Sequence, residues 1–184
     1  MSRMSELSID IETLGTNIGD QILSVGLAIF DITTGEIGET RYLRVQVDPN
    51  QSINATLGTI TWWIDQAKEN PEALEGLFTT NAWSIGISGV LSSIHDFVTL
   101  HQPEGVWANG TKFNLAMLEH QFKQHSIDVP WPYNSDRCLR TLRSFAGKIE
   151  IKREGAAHNA LYDAIWQAKY ISAAVKKLNL LEKC

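Results

Sequence analysis

The sequence predicts an α/β protein: a mixed sheet of three antiparallel strands followed by two parallel ones, flanked by helices. Three observations lead there. Residues 6–47 hold two stretches in which apolar and polar side chains alternate and a largely apolar strand-like run between them, joined by connections too short for parallel crossovers. Beyond them the apolar period lengthens to that of helices, interrupted by short apolar runs. The 184 residues, 43% apolar and 20% charged, have the size and balance of one globular domain spanning residues 1–184, which excludes a disordered chain.

Met1–Ser5 reads as a loose terminus. Glu6–Glu12 sets Leu7, Ile9 and Ile11 against Ser8, Asp10 and Glu12, the pattern of a half-buried strand. Gln21–Asp31 is a second strand, Thr33-Thr34-Gly35-Glu36 marks a turn, and Arg41–Val47 alternates again. The short links make these three an antiparallel meander. Ala55–Lys68 places Leu57, Ile60, Trp63 and Ile64 at helical spacing, and Pro71 opens a short acidic turn or helix. Ile85–Leu100 carries a stripe of Ile87, Leu91, Ile94, Phe97 and Val98. Gly105–Asn109 reads as a short strand feeding a helix over Lys112–His125, with Phe113, Leu115, Leu118 and Phe122. Pro130 and Pro132 make His125–Asn134 a loop, and Asp136–Phe145 reads as a short strand running into a helix. The clearest helix is Asn159–Leu178, capped by Asn159, with Leu161, Ala164, Ile165, Ala168, Ile171, Val175 and Leu178 on its buried face. The ribonuclease H-like architecture has this order of elements.

Composition removes several classes of function. No apolar run approaches the ~20 residues of a membrane span, and no secretory signal is evident. Two cysteines, Cys138 and Cys184, give no disulfide framework and fit a reducing cytoplasm, where the sequons at Asn54 and Asn109 carry no meaning. A net charge of −5 argues against coating nucleic acid by bulk charge, but not against gripping it locally.

Three segments carry chemistry. Asp10 and Glu12, two apart on a strand, share one face; such paired carboxylates repel unless a cation joins them, and their hard oxygens suit Mg²⁺ or Mn²⁺. The plain alternative is the solvated face of an edge strand. Leu14-Gly15-Thr16-Asn17 follows, a polar turn whose backbone N–H groups could approach a ligand. In His158-Asn159-Ala160-Leu161-Tyr162-Asp163 the histidine lies just outside a helix, where an imidazole can reach a water, and the aspartate lies in its first turns. Here the alternatives are a surface loop residue and a carboxylate favoured by the helix dipole. Trp107 to Asn114 joins a strand end, a glycine turn and a polar helix start, a place to receive a ligand, with Phe113 as core or stacking surface. Six basic residues between Arg137 and Arg153 (Arg137, Arg140, Arg143, Lys148, Lys152, Arg153) face one acid, Glu150, and could track a phosphate backbone. Trp62 and Trp63 diverge by about 100° on a helix, so one can be core while the other is exposed.

Together these motifs resemble the DEDD superfamily of 3′–5′ exonucleases, which includes polymerase proofreading domains, oligoribonuclease and ribonuclease T. The resemblance is closest to small phage, prophage and mycobacterial exonucleases. It runs through D-I-E-T-L-G at Asp10–Gly15, I-L-S-V-G at Ile22–Gly26, T-W-W at Thr61–Trp63, N-G-x-x-F at Asn109–Phe113, R-x-x-R-T at Arg137–Thr141 and A-H-N-A-L-x-D-A at Ala157–Ala164. Histidine five before aspartate marks the DEDDh variant. The resemblance implies a ribonuclease H-like fold, two Mg²⁺ or Mn²⁺ ions, and hydrolysis of single-stranded RNA or DNA 3′ ends to nucleoside monophosphates in a bacterial or phage-infected cell. It implies that Asp10 bridges both ions, that Glu12 and Asp163 hold the ion that activates water, and that His158 is the general base. Substrate contacts would fall on Thr13, Leu14 as a wedge on the terminal base, Trp63, Asn109, Phe113 and Arg137. Relatives often form a homodimer in which one subunit's basic surface feeds the other's site.

The pattern departs at two positions. Asn114 stands where the resemblance expects a metal-binding aspartate; it keeps the shape and one oxygen but loses the charge, which weakens the second cation site. Three readings fit Asn114: an introduced inactivating substitution, a natural variant that turns over slowly through a water, or a pseudo-nuclease kept for binding nucleic-acid ends. Cys138 stands where relatives carry aspartate, which bears on substrate contacts more than on chemistry.

Overall fold

The structure, a computed structural model, describes residues 4–48, 50–69, 71 and 84–180. Its elements in chain order are β1 (Glu6–Thr13), β2 (Ile22–Phe30), β3 (Ile37–Val45), α1 (Leu57–Glu69), β4 (Ser84–Ile85), α2 (Ile87–His101), β5 (Gly105–Ala108), α3 (Thr111–Gln124), β6 (Asp136–Cys138), α4 (Leu139–Ala146) and α5 (Ala160–Lys177). The acidic turn or helix expected after Pro71, most of the expected loose terminus and Cys184 lie outside the described residues. Among the described residues no helix is long and apolar enough to cross a membrane.

The sheet order is β4-β3-β2-β1-β5-β6. β1 and β2 pair antiparallel, as do β2 and β3, while β5 runs parallel to β1 and β6 parallel to β5. The expected mixed sheet is therefore present, with one addition: β4, two residues parallel to β3. A two-residue strand shows no periodicity, and the sequence joined Ile85 to the following helix.

β1 is the central strand, and this corrects the reading of a half-buried one. Leu7, Ile9 and Ile11 pack with Val90, Leu91, Ile94 and Phe97 of α2 and Leu115, Leu118 and Phe122 of α3. The opposite face of the sheet lies under α5, which packs across β1 and β2, so Ser8 and Glu12 are buried as well. Alternation persisted in the sequence because the second face carries the chemistry rather than core. The solvated-edge alternative for Asp10 and Glu12 is thereby removed.

Two glycines let the helices come close. Asp10 pairs with Gly26 of β2, and a Cβ at Gly26 would run into the Ala160 carbonyl and the Leu161 nitrogen. The bare backbone thus seats the N-terminus of α5 at the level of Asp10. Asn159 caps that terminus as expected, its side chain accepting from the N–H groups of Leu161 (3.1 Å) and Tyr162 (3.3 Å). At the end of β5, Gly110 takes φ +106°, a tight turn that starts α3 at once and puts Asn114 within its first turns.

α1 forms where its spacing predicts, but the stripe does not face core. Only Trp63 is buried; Leu57 is 77% and Ile64 55% exposed among the described residues. The helix meets the rest of the protein through the Trp63 indole, which donates to the Thr13 carbonyl (2.8 Å) and ties α1 to the end of β1.

Candidate active site

β1 supplies Asp10 and Glu12, the segment before α5 supplies His158, α5 supplies Asp163, and α3 supplies Asn114. The fold brings them together although they lie at opposite ends of the chain. Oxygens of Glu12 and Asp163 and a ring nitrogen of His158 all lie within 4.8 Å of one another. Asp10 Oδ1 accepts from Gln167 Nε2 of α5 (2.9 Å) and from Asn114 Nδ2 (3.3 Å).

This proximity shifts the charges. Asp10 keeps a solvent-facing edge but is otherwise enclosed; burial pushes its pKa up to about 7, against the pull of the Gln167 and Asn114 amides and the Arg153 charge. Burial and the neighbouring Asp10 raise Glu12 well above the usual carboxylate range. Burial and the Arg153 guanidinium lower the pKa of His158, which keeps its imidazole neutral near pH 7. Two carboxylates made reluctant to ionise side by side form a cluster that a cation would relax.

His158 adopts a left-handed backbone, φ +62°, which aims its N–H at Asp163 Oδ2 (3.2 Å). The imidazole stands edge-on to Trp62, ring centroids 4.7 Å apart. Beside Glu12, a cavity of about 310 Å³ opens between Thr13, Thr16, Gly58, Trp62 and Phe113.

The expected substrate residues divide. Phe113 forms part of the cavity wall while also packing on the core. Thr13 borders the cavity, with its hydroxyl donating to the Gly15 carbonyl (2.6 Å). Asn109 lies at the end of β5 with a buried Oδ1 that finds no partner. Leu14, expected as a wedge, is 6% exposed and packed with Leu23 and Trp63. Trp63 is 2% exposed yet borders the same cavity, its ring edge-on to His158 with centroids 6.2 Å apart, and its neighbour Trp62, 39% exposed, is the more open of the two. Arg137 Nη1 donates to the carbonyls of Asn134 (2.8 Å) and Asp136 (3.0 Å), and its charge acts on Glu6 at the other end of β1; the fold does not carry it to the acidic cluster. The turn after β1 offers no free cradle at Leu14 or Asn17, whose N–H groups bond the Gln21 carbonyl and the Asp20 carboxylate. Cys138 is half-buried at the N-cap of α4.

The basic strip is not a continuous track. Arg143 lies over the rings of Trp166 and Tyr170, and Lys148 pairs with Glu150. Arg153 instead forms an ion pair with Asp163. Sequence reasoning missed Gln167 and gave Arg153 no separate role. The signal for Gln167 was there: it is a polar residue beside Ala164, Ala168 and Ile171 on an otherwise apolar stripe.

Residues 5–175 match the family model described as a 3′–5′ exoribonuclease Rv2179c-like domain. The chain belongs to the Rv2179c-like 3′–5′ exoribonuclease domain family. Among curated proteins no sequence matches. Solved structures share the fold of this Rv2179c-like chain at low identity. The nuclease domain of 3′hExo, a DEDDh family member bound to rAMP, is 14% identical over 93% of this chain and 91% of its own, with a TM-score of 0.59. S. pombe Pop2p in its Mg²⁺- and Mn²⁺-bound form is 14% identical over 95% of this chain and 84% of its own, TM-score 0.60. The zinc-bound E. coli ExoI–ssDNA complex is 15% identical, TM-score 0.68; 97% of this chain covers 42% of that larger protein. The Rv2179c-like chain thus has the ribonuclease H-like fold of the DEDDh exonucleases, with its acidic cluster at the end of the central strand.

Proposed function

We propose that this chain is a divalent-cation-dependent nuclease that removes nucleoside 5′-monophosphates from the 3′ ends of single-stranded RNA or DNA. The observation that carries the reading is the meeting of Glu12, Asp163 and His158 beside the buried Asp10. The donor set fits Mg²⁺ or Mn²⁺: carboxylate oxygens from two elements and a carboxyl whose burial disfavours ionisation until a cation arrives. The metal-bound, rAMP-bound and ssDNA-bound relatives support the same chemistry.

In this reading Glu12 and Asp163 would hold one ion, and Asp10 and Asn114, the latter lacking charge, would supply ligands for a second, weaker site. Bound divalent ions lower the pKa of a water and stabilise the attacking and leaving oxygens of an in-line displacement. His158, neutral, accepts the proton of that water as its oxygen bonds to the terminal phosphorus. The bond to the 3′ oxygen of the penultimate nucleotide breaks, that oxygen takes a proton from solvent water, His158 returns its proton to solvent, and a nucleoside 5′-monophosphate departs. Trp62 and Phe113 flank the cavity beside Glu12 and give the terminal base apolar surfaces. Incubation of 5′-labelled single strands with Mn²⁺ tests the reading: the expected result is a ladder shortening from the 3′ end, abolished by chelator.

A second reading has its own support. The Asn114 amide donates to Asp10 Oδ1, a neutral side chain where the resemblance expects a metal-binding carboxylate, which suits an end-binding protein without catalysis. Strands bound but not shortened, by this chain and by Asn114→Asp alike, would select it.

The pKa shifts set a pH dependence. Asp10, near 7, and Glu12, also raised, must lose protons before a cation can bind, whereas His158 is lowered and already neutral there. Mn²⁺ affinity is therefore expected to rise with pH through about 7, which calorimetry at stepped pH would show. Stability of the cation-free protein has the opposite sign. Carboxyls raised in the folded state stabilise it below their unfolded values and lose that contribution as pH rises through the folded ones. The thermal midpoint in chelator should fall between about pH 5 and 8, and Mn²⁺ should restore it at the upper end.

A further inference from the structure

We infer that Arg153 is the counter-cation of the acidic cluster: it holds Asp163 when no divalent ion is present and competes with that ion for the same carboxylate. The inference rests on the cation-dependent reading above.

Asp163 has two carboxylate oxygens and both are committed. Oδ2 takes the backbone N–H of His158, and Oδ1 takes Arg153 Nη1. A cation held by Glu12 and Asp163 would have to share the Asp163 carboxylate with that guanidinium. Arg153 is placed for this by its own segment, which joins α4 to α5. The Trp166 indole donates to the Ile151 carbonyl (3.2 Å), and the Arg153 guanidinium lies over the same indole, 5.3 Å from its centroid. Two residues on, Gly155 takes φ +77° with its Cα against the Tyr162 ring, where a side chain would collide. The arginine is thus carried by a loop fastened to α5 on both sides of it, and it points at the one α5 carboxylate of the cluster.

The guanidinium does for the empty cluster what a cation would do. Among the described residues it is the one basic group whose charge acts on Asp10, Glu12 and His158 alike. Its side chain is 38% exposed against 15% for Asp163, so withdrawal exposes the arginine to water and frees the carboxylate. The remaining basic residues of the 137–153 stretch with described partners are engaged elsewhere: Arg137 on backbone carbonyls, Arg143 on aromatic rings and Lys148 on Glu150. Arg153 is therefore a positioning residue. It keeps Asp163 turned toward His158 at low cation and sets the cation concentration at which the site fills.

A residue that only props up the fold and one that competes with the ion give opposite results when removed. Calorimetric titration of Mn²⁺ into the full chain, without substrate, compares wild type, Arg153→Gln and Arg153→Lys. The expected result is Mn²⁺ binding tightened about tenfold in Arg153→Gln and by a smaller factor in Arg153→Lys, whose compact ammonium cannot stack on Trp166. The thermal midpoint in chelator should fall for Arg153→Gln and rise further on Mn²⁺ addition than that of wild type. Unchanged or weakened Mn²⁺ binding in the variants, with wild type binding normally, overturns the competition and leaves the nuclease reading standing. Binding by the variants but not by wild type supports it. No binding by any of the three overturns both. Should Arg153→Gln not fold, Arg153→Lys decides alone by the same criterion.

Discussion

Asn114→Asp is expected to tighten binding of the second divalent ion by about a hundredfold and to raise the rate of 3′-end shortening accordingly. The Asn114 amide sits deep between α3 and β1 and spends a donor on Asp10 Oδ1. A carboxylate there would face Asp10 with like charge, which only a cation between them relieves. The same substitution therefore destabilises the cation-free protein. It removes a hydrogen bond to a buried carboxyl and adds a buried charge, together costing about 1–3 kcal/mol. Two readouts follow from one change: a thermal midpoint lower than wild type in chelator, and a larger rise on adding Mn²⁺. Equal rates and equal cation dependence for the two proteins would show that position 114 does not limit the site.

His158→Asn is expected to lower kcat by about 10²–10⁴-fold while leaving Mn²⁺ binding and the fold in place. The backbone and the ring of His158 have separate duties. The N–H, presented by a left-handed φ, orients Asp163, and the imidazole, next to Trp62, is the proton acceptor. Asparagine tolerates that backbone region better than other non-glycine residues, so the N–H stays while the base is lost. Single-turnover rates with bound Mn²⁺ measure the effect. A variant with unchanged rate would remove His158 as the base.

Much of this was legible in the sequence because the signals were local. Alternation gave β1 and β3, an apolar run gave β2, the Asn159 cap and its apolar stripe gave α5, and the D-x-E pair and the H-x₄-D spacing named the residues that meet. What was not legible depends on which elements touch. Alternation in β1 is that of a half-buried strand, and only the α5 packing over Gly26 shows that the polar face is buried chemistry. The spacing of Leu57, Ile60 and Ile64 predicts a buried stripe, but the buried residue of α1 is Trp63, packed with Leu14, while Trp62 stands at the cavity against His158. Arg137 fits a motif yet turns back on its own loop, whereas Arg153, in the same basic run, reaches Asp163 because the Trp166 and Tyr162 contacts fold its segment onto α5.

The central claim is that Glu12 and Asp163, beside Asp10 and His158, hold a divalent ion. Anomalous diffraction from crystals of the chain soaked in Mn²⁺ reads it directly. The expected result is a peak bonded to carboxylate oxygens of both Glu12 and Asp163 at roughly 2.0–2.3 Å, with the Arg153 guanidinium displaced from Asp163. Density for Mn²⁺ only at other positions, with Asp163 still paired to Arg153, would contradict it.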